Sequence, residues 1–229
     1  MLGILVLLAT SWLLLYLVEK KSILALGFLP VLNRLQQFIT GFLITAVLCV
    51  IVQYLESLLK TSHFVLSENF SIQLLFEAFW WDIKSVITEE LIFRGALLYI
   101  LIKKLGSKIS ISISAVAFGI YHWFTFGVLG NPLAMLMVFL GTGLMGYAWA
   151  LAFYKTKSIM LAFGLHLGWN FTYNTVFSKG PLGDIIYISQ GGNELTGWLS
   201  FLNFSMGMLV VPIIVLIYVS YFKKNTNPI

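Results

Sequence analysis

The 229 residues are 59% hydrophobic and 10% charged, with a mean hydropathy of +0.94, whereas a soluble domain carries about 25% charged residues. This excludes a soluble globular domain. The net charge of +5 is spread in twos and threes between apolar runs, as topology signals are, and is not gathered into a patch for nucleic acid. A single cysteine, Cys49, excludes an internal disulfide and a Cys-based zinc cluster.

In chain order, the first apolar run covers residues 2–18. It lacks a basic leader and is followed by Glu19, Lys20 and Lys21, which predicts a retained anchor helix and not a signal peptide. A short mixed stretch at 22–30 follows. Further apolar runs cover 35–59, 74–102, 109–126, 133–154, 158–177 and 200–222. At about 20 residues per span these make seven membrane helices. The expected fold is therefore all-α, a polytopic membrane helix bundle forming one integral-membrane domain over 1–229, with a functional core at about 74–177. The 74–102 run is long enough that residues 71–81 could instead lie along the interface. The longest loop, 178–199, is Gly-rich and should lie outside. Residues 141–146, GTGLMG, formally fit a dinucleotide fingerprint but sit mid-span with no strand before them, so they predict helix packing.

The basic residues alternate between loops. Lys20, Lys21 and Arg34, then Lys103, Lys104 and Lys108, then Lys155 and Lys157, and finally Lys223 and Lys224 fall on one side; the other side holds Lys60 and Lys179. The positive-inside tendency places the N-terminus outside and the C-terminus in the cytoplasm. Lipid is the surrounding partner.

Charge inside the apolar runs is the informative anomaly, because a charged side chain at a helix centre costs roughly 2.5 to 3.5 kcal/mol on insertion scales. The third run carries Glu77, Asp82, Lys84, Glu89, Glu90 and Arg94, the fourth His122, and the sixth His166 and Asn170. Measured along straight helices from the basic side, Glu89 and His122 lie about 20 Å deep, Asn170 about 18 Å and His166 about 12 Å. One acid, two imidazoles and one amide can thus meet in a layer. Glu90 and Arg94, four apart with the acid first, favour a pair. Glu89, about 100° around the helix, is left to face His122. A buried carboxylate beside an imidazole suits proton abstraction from water, and a His with an Asn can stabilise an oxyanion. Asp82 lies on the Glu89 face two turns earlier; it is expected in the headgroup region, with a water path to the site as the other reading.

Three motifs stand in order on three polar-bearing spans: Glu89-Glu90-x-x-x-Arg94, Phe118-x-x-x-His122 and His166-x-x-x-Asn170. The set resembles the type II CAAX prenyl endopeptidases, also called CPBP or Abi intramembrane proteases. The resemblance implies an intramembrane endopeptidase that cleaves a protein or peptide substrate, of CAAX type or in bacteriocin and peptide processing. Carried over by position, Glu89 and His122 would activate water, His166 and Asn170 would bind the oxyanion, and Glu90 and Arg94 would support them. The family is often labelled metalloprotease; zinc at Glu89, His122 and His166 and metal-free water activation both stay open. The compact chain looks more like the bacterial branch, which implies the bacterial inner membrane. Two further classes remain as alternatives: a proton-coupled transporter using Glu89, His122 and His166 as a relay, and a non-catalytic immunity protein. Neither the prenylation of a substrate nor an oligomeric state is legible, and no nucleic-acid partner is expected.

Overall fold

A computed structural model describes residues 2–221 of the chain. Helix α1 is Leu2–Glu19, and a 3-10 turn, Ile23–Leu26, leads to α2, Val31–Lys60. A short strand β1, His63–Leu66, precedes α3, Ile72–Phe93, and α4, Ala96–Leu105. Then come α5, Ser107–Thr125; α6, Pro132–Thr156; and α7, Ile159–Asn170, which continues as a π-helical stretch, Phe171–Val176. Strand β2, Tyr187–Gln190, precedes α8, Gly197–Ser205, and a π stretch, Met206–Val210, joins it to α9, Val211–Ser220. Counting α3 with α4 and α8 with α9, the chain passes up and down seven times. Four of these passes, Leu2–Glu19, Val31–Lys60, Pro132–Thr156 and Gly197–Ser220, are long and apolar enough to cross a membrane on those grounds alone. The other three are interrupted or more polar, and they carry the site.

Helix starts follow local chemistry. Ser71 caps α3 by accepting from the Leu74 amide, Asn131 caps α6 by accepting from Ala134 with Pro132 in the first turn, and Ser158 caps α7 by accepting from Met160. Each cap satisfies an amide that has no partner within its own helix. The Ser158 hydroxyl also donates to the Gly27 carbonyl at 2.6 Å, fastening the 3-10 turn beneath α7.

Two apolar clusters divide the interior. One joins α5, α6, α7 and α9 through Phe118, Trp149, Leu165 and Val215. The other joins α1, α4 and α6 through Leu15, Leu98 and Phe153. Helices α2 and α7 pack backbone to backbone. A Cβ on Gly164 would lie 2.1 Å from the Phe38 carbonyl oxygen, and one on Gly168 would lie 2.2 Å from that of Phe42. The Thr45 hydroxyl donates across the same seam to the Leu165 carbonyl at 2.7 Å. Small residues let backbones approach where lipid supplies no hydrophobic drive for association. Gly141 and Gly146 of α6 likewise lie against Met208 and Phe118, so the glycines of the fingerprint-like sequence serve packing.

The basic residues gather at one end. Lys103 binds Glu19 at 2.7 Å, Arg34 donates to the Thr156 carbonyl at 3.1 Å, and Lys155 to the Ser220 carbonyl at 3.2 Å. Lys223 and Lys224 lie outside the described residues. The opposite end holds Lys60 and Lys179 around Glu56, and the strand pair.

Three expectations change. The 74–102 run is not one straight helix: it breaks at Arg94 and Gly95, where a Cβ on Gly95 would come within 2.2 Å of the Leu91 carbonyl oxygen. A depth measured along one unbroken helix therefore does not hold for Glu89. Residues 71–81 are not a separate interfacial segment, because α3 runs unbroken from Ile72 into the site. The 178–199 loop is not all coil, since β2 pairs antiparallel with β1, His63 opposite Gln190 and Leu66 opposite Tyr187. Four alternating residues in each strand were too short a pattern to separate from a loop.

Candidate active site

The inward face of α3 is written at helical spacing. Ala78, Asp82, Val86, Glu89 and Glu90 are all buried, at steps of three or four. That stripe meets α7, while α5 and α6 close the sides.

Glu90 and Arg94 form the base of the site. The Arg94 Nε donates to Glu90 Oε2 at 2.9 Å, and its Nη2 donates to Oε1. Arg94 has no solvent exposure. Its guanidinium lies over the Phe118 ring at 4.4 Å and the Trp149 ring at 5.2 Å, so aromatic faces take the place of water around the charge.

Each imidazole has one nitrogen fixed. His122 Nδ1 lies 2.8 Å from the Phe118 carbonyl, which can only accept, so Nδ1 carries the proton. His166 Nδ1 lies 2.8 Å from Glu90 Oε1, a carboxylate already bound to Arg94, and donates to it. Trp149 stacks on the His166 ring at 4.2 Å and 18°. The second nitrogen of both rings then points to Glu89: Oε2 is 4.0 Å from His122 Nε2 and 3.7 Å from His166 Nε2. The other oxygen, Oε1, is 3.4 Å from the Ser85 hydroxyl one turn back. Among the described residues, Oε2 is buried with no hydrogen-bond partner. The side chains of Glu89 and His122 are 10% and 13% exposed against 3% for His166, so the cluster opens on the Glu89–His122 side.

The structure thus brings Glu89, Glu90, Arg94, His122 and His166 into one cluster. Asn170 stands one turn beyond His166 on α7, half-buried, and among the described residues its amide makes no hydrogen bond. Two contributors were not singled out from sequence. Ser85 carried no signal beyond its place four residues before Glu89. Trp149 sits in an apolar run like any core aromatic.

Asp82 is not at the protein surface. It is fully buried and accepts from Asn174 Nδ2 at 2.7 Å and from Thr175 Oγ1 at 2.8 Å. Its partners belong to the π stretch after α7, which periodicity alone could not foresee.

Zinc held by two His and a Glu has bonds of about 2.0 to 2.2 Å, which puts neighbouring tetrahedral ligand atoms about 3.4 Å apart. The 4.0 Å and 3.7 Å separations are wider. Among the described residues no group of three His, Cys, Asp or Glu is placed to hold a metal ion. As positioned, the three donors do not fit zinc.

Residues 71–172 match the family model described as type II CAAX prenyl endopeptidase Rce1-like. This stretch, 102 of the 229 residues, is similar to an Rce1-like domain. It begins at the cap of α3 and ends just beyond Asn170, so it contains every residue of the cluster. The matched family is one of CAAX-type endopeptidases, and the long apolar passes suit an integral membrane protein. Comparison with curated proteins and with solved structures returns no match.

Proposed function

We propose that the Rce1-like domain hydrolyses a peptide bond inside the membrane with a water molecule activated by Glu89 and His122. The observation that carries this reading is the convergence of Glu89 Oε2 and His122 Nε2, two acceptors 4.0 Å apart with their other atoms fixed by Ser85 and Phe118. A water about 2.8 Å from both would see them at an angle of about 90°, close to the spread of its own two O–H bonds. Glu89 takes the proton as the water oxygen attacks the peptide carbonyl, and His122 orients the water. His166, held by Glu90, turns Nε2 to the developing oxyanion, and Asn170 adds its amide. Glu90 and Arg94 hold His166 in place. The proton held by Glu89 then passes to the leaving amine. No metal takes part in these steps.

The basic end faces the cytoplasm in this reading, with the N-terminus outside. The match to an endopeptidase family favours hydrolysis over the relay of a proton-coupled transporter and over a non-catalytic immunity role.

The test uses purified protein in detergent on a quenched fluorescent peptide library containing farnesylated and unmodified C-terminal CAAX sequences. Glu89→Gln and His122→Ala should each lower cleavage by about 10²- to 10⁴-fold while eluting as folded protein. Wild-type cleavage should survive a zinc chelator. A mutant that cleaves at the wild-type rate removes the assignment, and cleavage lost in chelator but restored by zinc puts a metal in the cluster.

A further inference from the structure

Helices α3 and α7 run antiparallel and are pinned twice. Glu90 meets His166 at 2.8 Å, and Asp82 meets Asn174 at 2.7 Å and Thr175 at 2.8 Å. Both pins keep one register: a step of eight residues back along α3, from Glu90 to Asp82, matches a step of eight forward from His166 to Asn174. The midpoint of that register sets Val86 opposite Asn170. Val86 has no solvent exposure, and the residue before it, Ser85, is bonded to Glu89.

The outer pin is costly to hold. Asp82 is a carboxylate with no exposure, bound by two neutral donors, and burial of an acid in that state has to be offset by its hydrogen bonds. Both donors lie in the π-helical stretch Phe171–Val176, which begins immediately after Asn170. A π turn widens the spacing of side chains, and such turns cluster at functional sites. Here the widened turn brings Asn174 and Thr175 together onto one carboxylate. Among the described residues Asp82 is hydrogen-bonded to neither Glu89 nor a histidine.

We infer that Asp82 is a positioning residue: by clamping Asn174 and Thr175 it fixes the π turn and thereby aims the Asn170 amide at the carbonyl that Glu89 and His122 attack. The inference rests on the proposed hydrolysis and adds a residue to it. Asp82 acts through Asn170, so its removal reaches the transition state only when Asn170 is present.

Four variants and two readouts test it. On the best-cleaved peptide of the library, Asp82→Ala should lower kcat by about 10- to 100-fold with KM little changed, as expected when a transition-state contact is misplaced. In an Asn170→Ala background the same substitution should cause no further loss of kcat. Glu77→Gln, an exposed carboxylate on the same helix bonded only to Gln73, should leave kcat unchanged. Additive losses in the double variant, or normal kcat in Asp82→Ala, overturn the inference and leave the Glu89 assignment standing. The second readout needs no substrate: amide hydrogen exchange at residues 171–176 should rise in Asp82→Ala while α6 keeps its wild-type protection. Unchanged exchange there refutes the clamp even where no peptide is cleaved.

Discussion

Arg94 keeps a full charge at a place with no solvent. It does so because Glu90 binds it on one side and Phe118 and Trp149 cover its faces. Removing one partner of a buried pair leaves the other uncompensated, at a cost of about 3 to 5 kcal/mol. Arg94→Ala should therefore lower the melting temperature in detergent sharply. Arg94→Met with Glu90→Gln should recover much of the stability without recovering cleavage, because His166 then loses the carboxylate that receives its Nδ1 proton. Equal melting temperatures for wild type and Arg94→Ala would show that the pair bears no load. This pair was legible in the sequence from spacing alone, acid before base at four residues. Asp82 was not, since its burial depends on a partner helix whose turn changes pitch.

At the scale of elements, the site depends on how near α7 comes to α2. His166 lies between Gly164 and Gly168, and both glycines press against carbonyl oxygens of α2 with no room for a methyl group. Gly164→Ala should push α7 off α2 and move His166 away from Glu90, lowering both the melting temperature and cleavage. Circular dichroism should still show a helical protein. The seven apolar runs could be read directly, because a bilayer demands a fixed length of apolar helix. The interruption at Gly95 could not, because a single glycine in a long run is compatible with a continuous helix. The strand pair was hidden for another reason: β1 and β2 stand more than 100 residues apart in the chain, and each is only four residues long.

For the whole molecule, the seven passes sort charge to one end and the strand pair to the other. With Cys49→Ala as background, a cysteine placed at Ser62 should react with a membrane-impermeant maleimide in intact cells, and one placed at Lys21 only after the cells are opened. The reverse pattern would invert the topology. The turn joining α5 to α6, residues 126–131, also falls between the groups of the proposed reaction. Glu89 and His122 precede it, His166 and Asn170 follow it, and Gly127 and Gly130 take left-handed backbone there with open space around them. In the proposed mechanism the chain before this turn holds the groups that handle water, and the chain after it holds those that receive the oxyanion. Neither half possesses a complete reaction centre, so a cut at this turn would make hydrolysis a report on whether two separate polypeptides have found each other in the bilayer.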